Sequence, residues 1–205
     1  MPSRAQRTHR LVLRAAGRVL ERTGFLDFTM AAVADEAGVS RQAVYDHFGS
    51  KSDLVVAASE HILDEARRRH GLAPLPAGAS GLDALDHAIA DYVRTVPSVH
   101  GVAVANDVAR ASDPAAQAAW ANRTRVRRER YQRVFEQLDH DGRLRPEWTA
   151  KEAADLLFGL LSARMYEVLV IEGGWTVERY EQRVRRLVRD AVLDEAGAAV
   201  AAAPA

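Results

Sequence analysis

Arg41, Gln42, Tyr45, His47 and Lys51 fall within eleven consecutive positions, and each carries a hydrogen-bond donor on a long or aromatic side chain. Such donors suit a polyanion. The Arg41 guanidinium can bind guanine O6 and N7 with two N–H groups, and the Gln42 amide can bind adenine N6 and N7. Tyr45, His47 and Lys51 suit phosphate oxygens. So does a helix amino end at Thr29, where unbonded backbone N–H groups and the helix dipole favour an anion.

The run DEAGVSRQAVYDHF, Asp35 to Phe48, supplies the elements that would present these side chains. A helix-forming stretch breaks at Ala37-Gly38-Val39 and restarts at once on Ser40. Ala34, Gly38 and Val44 stand at the spacing of a helix-turn-helix. A small residue at Ala34 allows close approach at the corner, and Gly38 can take the left-handed conformation that ends the first helix. Val44, with Val33 and Val39, would plug the wedge between the helices. Ser40 then caps a short second helix whose first residues point away from the corner, where a major groove would lie. A tight corner whose polar residues merely face solvent has the same short pattern, so the spacing by itself leaves both readings open.

Periodicity predicts helix almost everywhere else. Leu11, Val12, Ala15, Ala16, Val19 and Leu20 form one apolar face ending at Gly24. Thr29 caps a second helix with Met30, Val33, Ala34 and Ala37 inward. A fourth starts at Ser50 and runs to about His70. The Pro- and Gly-rich stretch 71–81 reads as a linker. Helices are expected at 82–96, 99–111, 114–138, 149–171 and 177–193, with no alternating strand pattern. The fold class is therefore all-α. The expected organisation is a helix-turn-helix domain over 1–52, a connecting helix over 53–70, a ligand-binding and dimerisation domain over 71–195, and a disordered tail over 196–205.

Composition narrows the chemistry. The chain has 205 residues, no cysteine, and 28 Lys+Arg against 28 Asp+Glu. Without cysteine there is no disulfide, thiolate zinc site or thiol nucleophile. Net charge is zero, yet residues 1–22 carry six arginines and one glutamate. The first apolar stretch is interrupted by Arg14 and Arg18, which excludes a signal peptide reading, and the longest apolar run contains Arg164 and Glu167. A cytoplasmic protein without membrane contact is expected. There is no G-x-S-x-G, phosphate-cradling glycine loop or H-E-x-x-H, and the seven histidines show no tight metal-ligand spacing. We expect neither an enzyme nor a cofactor; convergence of His61, His87 and His100 in space is the one metal arrangement left open.

The run FTMAAVADEAGVSRQAVYDHFGSKSDLVVAASE resembles the amino-terminal DNA-binding domain of TetR-family transcriptional regulators, with the likeness extending from about Leu11 to Glu60. The order "AGVS", "VYDHF", "SKSDL" carries it; Phe28, where many members have threonine, departs from it. The resemblance implies an all-helical homodimer in which Thr29, Ser40, Arg41, Gln42, Ala43, Tyr45, His47 and Lys51 lie at a DNA surface. It speaks more firmly for the phosphate contacts of Tyr45, His47 and Lys51 than for base contacts. The segment PSRAQR would serve either as an arm on DNA or as a solubilising end.

Beyond residue 60 the expectations rest on helical periodicity. The helix expected over 149–171 is apolar around most of its circumference, and the last helix has a stripe of Val177, Tyr180, Val184, Leu187, Val188 and Ala191. Leu156, Leu160, Val184, Leu187 and Val188 are the expected dimer contacts, with packing inside the protomer as the alternative. Tyr92, His100, Trp120, Phe158, Met165 and Tyr166 are candidates to line an effector pocket. On helical wheels Arg164 and Arg127 fall on apolar faces, where a guanidinium needs an anionic partner. That partner is either a group on the effector or an internal acid: Glu167 for Arg164, and Asp91, Asp107 or Glu167 for Arg127. Together these features point to a DNA-binding regulator, a repressor released from a palindromic operator by a small molecule. The alternatives are an activator or effector-independent regulator, and a helical interaction module without DNA binding.

Overall fold

The computed structural model describes residues 3–24, 27–111 and 114–194. Nine α-helices occur among them: α1 (Arg4–Thr23), α2 (Met30–Ala37), α3 (Arg41–His47), α4 (Lys51–Arg69), α5 (Gly81–Ala109), α6 (Pro114–His140), α7 (Ala150–Leu160), α8 (Ala163–Tyr166) and α9 (Val177–Val192). A π-helical stretch, Glu167–Glu172, follows α8. The fold is all-α. The one extended contact among the described residues is an isolated antiparallel bridge between Leu144 and Leu193. The tail expected to be disordered, 196–205, lies outside the described residues.

Most helix starts are fixed by hydroxyl caps. Thr29, Ser40, Ser50, Thr149, Ser162 and Thr176 each accept a hydrogen bond from the backbone N–H three residues on. Ser3 does the same for α1, and Gln6 reaches back to the Ser3 N–H. Residues 4–7 of the expected arm are therefore the first turn of α1; Met1 and Pro2 lie outside the described residues.

The chain divides into two compact units, one of residues 1–71 with 97–123, the other of 72–96 with 124–205. Helix α4 belongs wholly to the first, and Val102, 1% exposed, joins its core. Residues 97–123 thus pack with the amino-terminal part, although composition placed them after the linker. In the first unit α1 packs on α2 and α4, and α2 on α3. Val12, Ala16, Val19, Val33, Leu54 and Ala58 are without exposed surface. Arg18 and Arg22 on α1 bind Glu36 on α2, and Arg14 binds Glu65 on α4.

Two expected boundaries differ. Pro97 ends no helix: α5 runs through it. Thr95 donates its hydroxyl to the Asp91 and Tyr92 carbonyls, and the buried Val96 and Val102 hold both sides of the proline in place. Conversely, the helix expected over 149–171 breaks at Leu161, whose ψ of 53° leaves the helical region, and Ser162 caps a new start.

In the second unit Leu85, Ile89, Val93, Phe135, Leu138, Leu157, Leu161, Tyr180 and Val192 form the most deeply buried part of the core. Ser80 and Asp83 cap the start of α5 reciprocally. The Gly81 N–H donates to Asp141 Oδ2 at 2.9 Å. A Cβ at Gly81 would stand 2.9 Å from the Leu138 backbone nitrogen, which cannot move without disturbing α6. Gly81→Ala should therefore lower stability by about 1–3 kcal/mol, the usual cost of overpacking, measured by urea denaturation; an unchanged midpoint would show that α6 yields at no cost.

Candidate nucleic-acid interface

The corner between α2 and α3 is built around residues that never reach solvent. Val33 and Val44 have no exposed surface, Ala34 is 1% exposed and Phe48 5%. Gly38 adopts φ 66° and ψ 36°, a left-handed conformation that a Cβ penalises by roughly 1–2 kcal/mol. The Val39 N–H returns to the Ala34 carbonyl at 3.0 Å and closes the end of α2. Val39 itself packs on the core. Because Val44 faces this core, the other sides of a seven-residue helix are free for display.

Arg41, Gln42, Tyr45 and Asp46 are exposed on α3, while Ala43, His47 and Lys51 are half-buried. Tyr45 stands out at 52% exposure, unusual for an aromatic ring with a core close by. Thr29 and Ser40 are exposed at the helix starts they cap, at 3.1 Å each. All eight residues expected at the surface thus lie on α3 or at the starts of α2, α3 and α4. Gln42 is occupied: its amide donates to Asp46 Oδ1 at 2.8 Å, one turn on. Asp46 was not among the expected residues. Its carboxylate can accept from a cytosine amino group, and it must release Gln42 if that amide is to reach a base.

Phe28, the departure from the family pattern, is 1% exposed, and its ring lies 5.9 Å from Lys51 Nζ. It anchors the fold beneath the Lys51 cation. A second contributor unforeseen from the sequence is His9 on α1. Its ring stacks on Phe48 at 4.8 Å and meets His47 edge-on at 5.6 Å. Ala5, Gln6, His9, Arg10 and His47 together line an open concavity. Spacing could not reveal His9, since 38 positions separate it from His47 and no helical repeat connects them.

The residues expected in an effector pocket are dispersed. Tyr92, Arg127, Phe158, Met165 and Tyr166 belong to the second unit, whereas His100 and Trp120 belong to the first. Trp120 stacks under Arg110 at 4.2 Å. Arg164 does not stand on an apolar face. The break at Leu161 rotates it outward; its side chain is 70% exposed and pairs with Glu167 at 2.6 Å and Glu172 at 3.5 Å. Arg127 meets none of the acids expected for it: Asp91 binds Arg130, Asp107 binds Arg110, and Glu167 binds Arg164.

The expected dimer contacts also separate. Val184 and Val188 are 4% and 1% exposed within one protomer, so they are core and cannot face a partner. Leu187 is 51% exposed, and Leu156 and Leu160 are partly buried. Val168 and Ile171 add exposed apolar surface on the π-helical stretch. Among the described residues no three histidines or acids gather where a metal ion could be held, and no helix is long and apolar enough to cross a membrane.

Residues 12–58 match the model of a family described as bacterial regulatory proteins, tetR family. Over 59 residues the chain is 41% identical to the HTH-type transcriptional regulator BetI of Brucella canis, and over 66 residues 38% identical to TtgR of Pseudomonas putida. Those matches span 29% and 32% of this chain and 30% of the length of each relative. Among solved structures, NalD of Pseudomonas aeruginosa, a secondary repressor of a multidrug efflux pump, superposes with TM-score 0.73 at 16% identity, covering 95% of this chain and all of that one. A transcriptional regulator from Saccharomonospora viridis, solved with choline, gives 0.75 at 18% identity, covering 92% and 99%. At such identities the whole-chain likeness is one of fold.

Burial holds the His9 ring below the usual imidazole value of 6.5, and the nearby His47 and His61 lower it further. A depressed folded-state value means that the unfolded chain takes up this proton first, so stability falls as pH drops below about 6.5. Glu36 and Glu65, already lowered by their arginines, act only at more acid pH. Between pH 7.5 and 5.5 the melting temperature should fall, and His9→Gln should flatten that slope. Parallel slopes for the two proteins would exclude His9 as its source.

Proposed function

Through residues 12–58 the chain belongs to the TetR family of bacterial regulatory proteins, and from that premise we propose that it is a DNA-binding transcriptional regulator acting as a homodimer on a palindromic operator. One observation carries the reading: a cap-to-cap helix-turn-helix whose short second helix buries only Val44 and turns Arg41, Gln42 and Tyr45 to solvent. In this reading α3 enters the major groove. Arg41 and Gln42 read base edges, Asp46 competing for the Gln42 amide. Tyr45, His47, Lys51 and the amino end of α2 at Thr29 hold phosphates, and Ala43 and Ser40 let the backbone approach.

Exposed apolar surface on the second unit supports two-fold association. Leu187, Ile171 and Val168, with Leu156 and Leu160, supply an interface patch, while Val184 and Val188 support it from the core. The sign of regulation we propose is repression, relieved when a small molecule binds the second unit. Such a ligand acts only through unequal affinity for two conformations. Helices α5 and α6 each contribute residues to both units, so they give a change in one unit a continuous path to the other.

Selection from a random duplex pool with purified protein tests this. An inverted repeat should be enriched, with half-sites about 34–36 Å apart or a multiple of that. Affinity should fall steeply with salt in proportion to the phosphates neutralised. Arg41→Ala should cost about 1–3 kcal/mol, roughly 10- to 100-fold, and relax one base position. Tyr45→Ala should weaken all sequences alike. Sequence-blind binding, or none, would favour an interaction module that kept the corner and lost DNA.

A further inference from the structure

Arg127 of α6 lies between two aromatic rings of the second unit, its guanidinium carbon 4.3 Å from the Phe158 centroid and 5.4 Å from that of Tyr92. Its Nε is buried and has no hydrogen-bond partner. Among the described residues it makes no ion pair, and the carboxylates the sequence offered it are engaged elsewhere: Asp91 with Arg130 at 2.9 Å, Asp107 with Arg110 at 2.6 Å and Glu167 with Arg164 at 2.6 Å. The surrounding phenols supply no counter-charge. Burial raises Tyr92 and Tyr180 far above the ordinary phenol value, so both stay neutral, and the Tyr180 hydroxyl donates to the Leu160 carbonyl. Ring faces return part of a guanidinium's lost hydration, but an unbonded N–H remains costly until an acceptor arrives.

We infer that the effector of this protein is a small organic anion, a carboxylate on an apolar body, whose head group binds the free edge of Arg127 between Tyr92 and Phe158. This rests on the ligand-responsive reading above. A guanidinium edge matches a carboxylate with two parallel N–H bonds, and the neutral Tyr92 phenol leaves the positive charge uncompensated for it. The partly buried Met165 and Leu169, packed on the same core, suit an apolar body. A cation is disfavoured at this place. The ring faces that would hold a quaternary ammonium already hold Arg127, and Arg128 lies 4.1 Å from the same Phe158 ring, so a second positive charge would meet repulsion.

The test uses the full chain and benzoate, hexanoate, octanoate and decanoate, each beside its neutral amide, with choline chloride as the cationic probe. Titration calorimetry on wild-type protein should show at least one carboxylate binding tenfold or more tighter than its amide, and no heat from choline. Arg127→Met, similar in length and apolar, should bring carboxylate and amide within twofold of each other; Arg127→Lys should keep part of the preference. The wild-type comparison stands even if a variant folds poorly. Equal binding of amides, tighter binding of choline, a preference that survives Arg127→Met, or no binding of any carboxylate would each overturn the inference. Operator binding measured without probe on the same preparation separates the two ideas. Its loss counts against the regulator reading alone, and an absent carboxylate preference in protein that holds operator counts against the anion alone.

Discussion

A seven-residue helix has too few hydrogen bonds to be stable by itself, and α3 buries a single side chain, Val44, against Val33, Ala34 and Phe48. The reading surface depends on that contact. If Val44 is seated, the direction of Arg41, Gln42 and Tyr45 is fixed by helical geometry; if it is not, α3 has no reason to exist. The left-handed Gly38 and the Ser40 cap serve the same end, because together they let α2 stop and α3 start within three residues. The stability of α1, α2 and α4 is then what holds the corner, through the apolar core they share with Val44.

Charge follows the same economy. Residues 1–22 look like a basic patch in the sequence, but Arg14, Arg18 and Arg22 turn to Glu65 and Glu36 and bind α1 to its neighbours. Each such exposed pair contributes little against solvent screening, yet together they restrict how α1 rolls over α2 and α4. Arg10, by contrast, lines the concavity with His9 and His47, beside the His9–Phe48 stack. The protein thus neutralises charge where helices meet and keeps it where α1 and α3 come together.

The amino-terminal unit was largely legible because its signals are local. Hydroxyl caps, a turn glycine and 3.6-residue periodicity each act within a few positions; α2 to α4 start and stop where they indicate and α1 ends at Gly24 as expected, though it begins at Arg4, inside the expected arm. What failed was non-local. A stripe such as Val177–Ala191 tells which face of α9 is buried, not whether a partner or the same chain buries it, so Val184 and Val188 were indistinguishable from Leu187. The break at Leu161 hid behind continuous apolar periodicity, since leucine favours helix; the signal was Ser162, a capping residue in mid-pattern, three positions after Gly159. Pro97 erred the other way, for a proline's local penalty was outweighed by packing on both sides. His9 and Asp46 escaped notice because one acts across the fold and the other binds a neighbour instead of announcing a partner.

The bridge between Leu144 and Leu193 bears on the order of events during synthesis. Arg145 N–H bonds to the Val192 carbonyl, and Asp194 N–H to that of Arg143, so the end of α9 is clasped to the turn after α6. Helices α1 to α4 can assemble most of their core as soon as about seventy residues have emerged, since their contacts are local and such contacts form fast. The second core lacks Tyr180, Val192 and Leu193 until almost the whole described chain is out. For that interval its apolar faces stay open to solvent, when a nascent chain is most exposed to misassociation. A ribosome carrying this chain therefore presents a finished corner and an unfinished core.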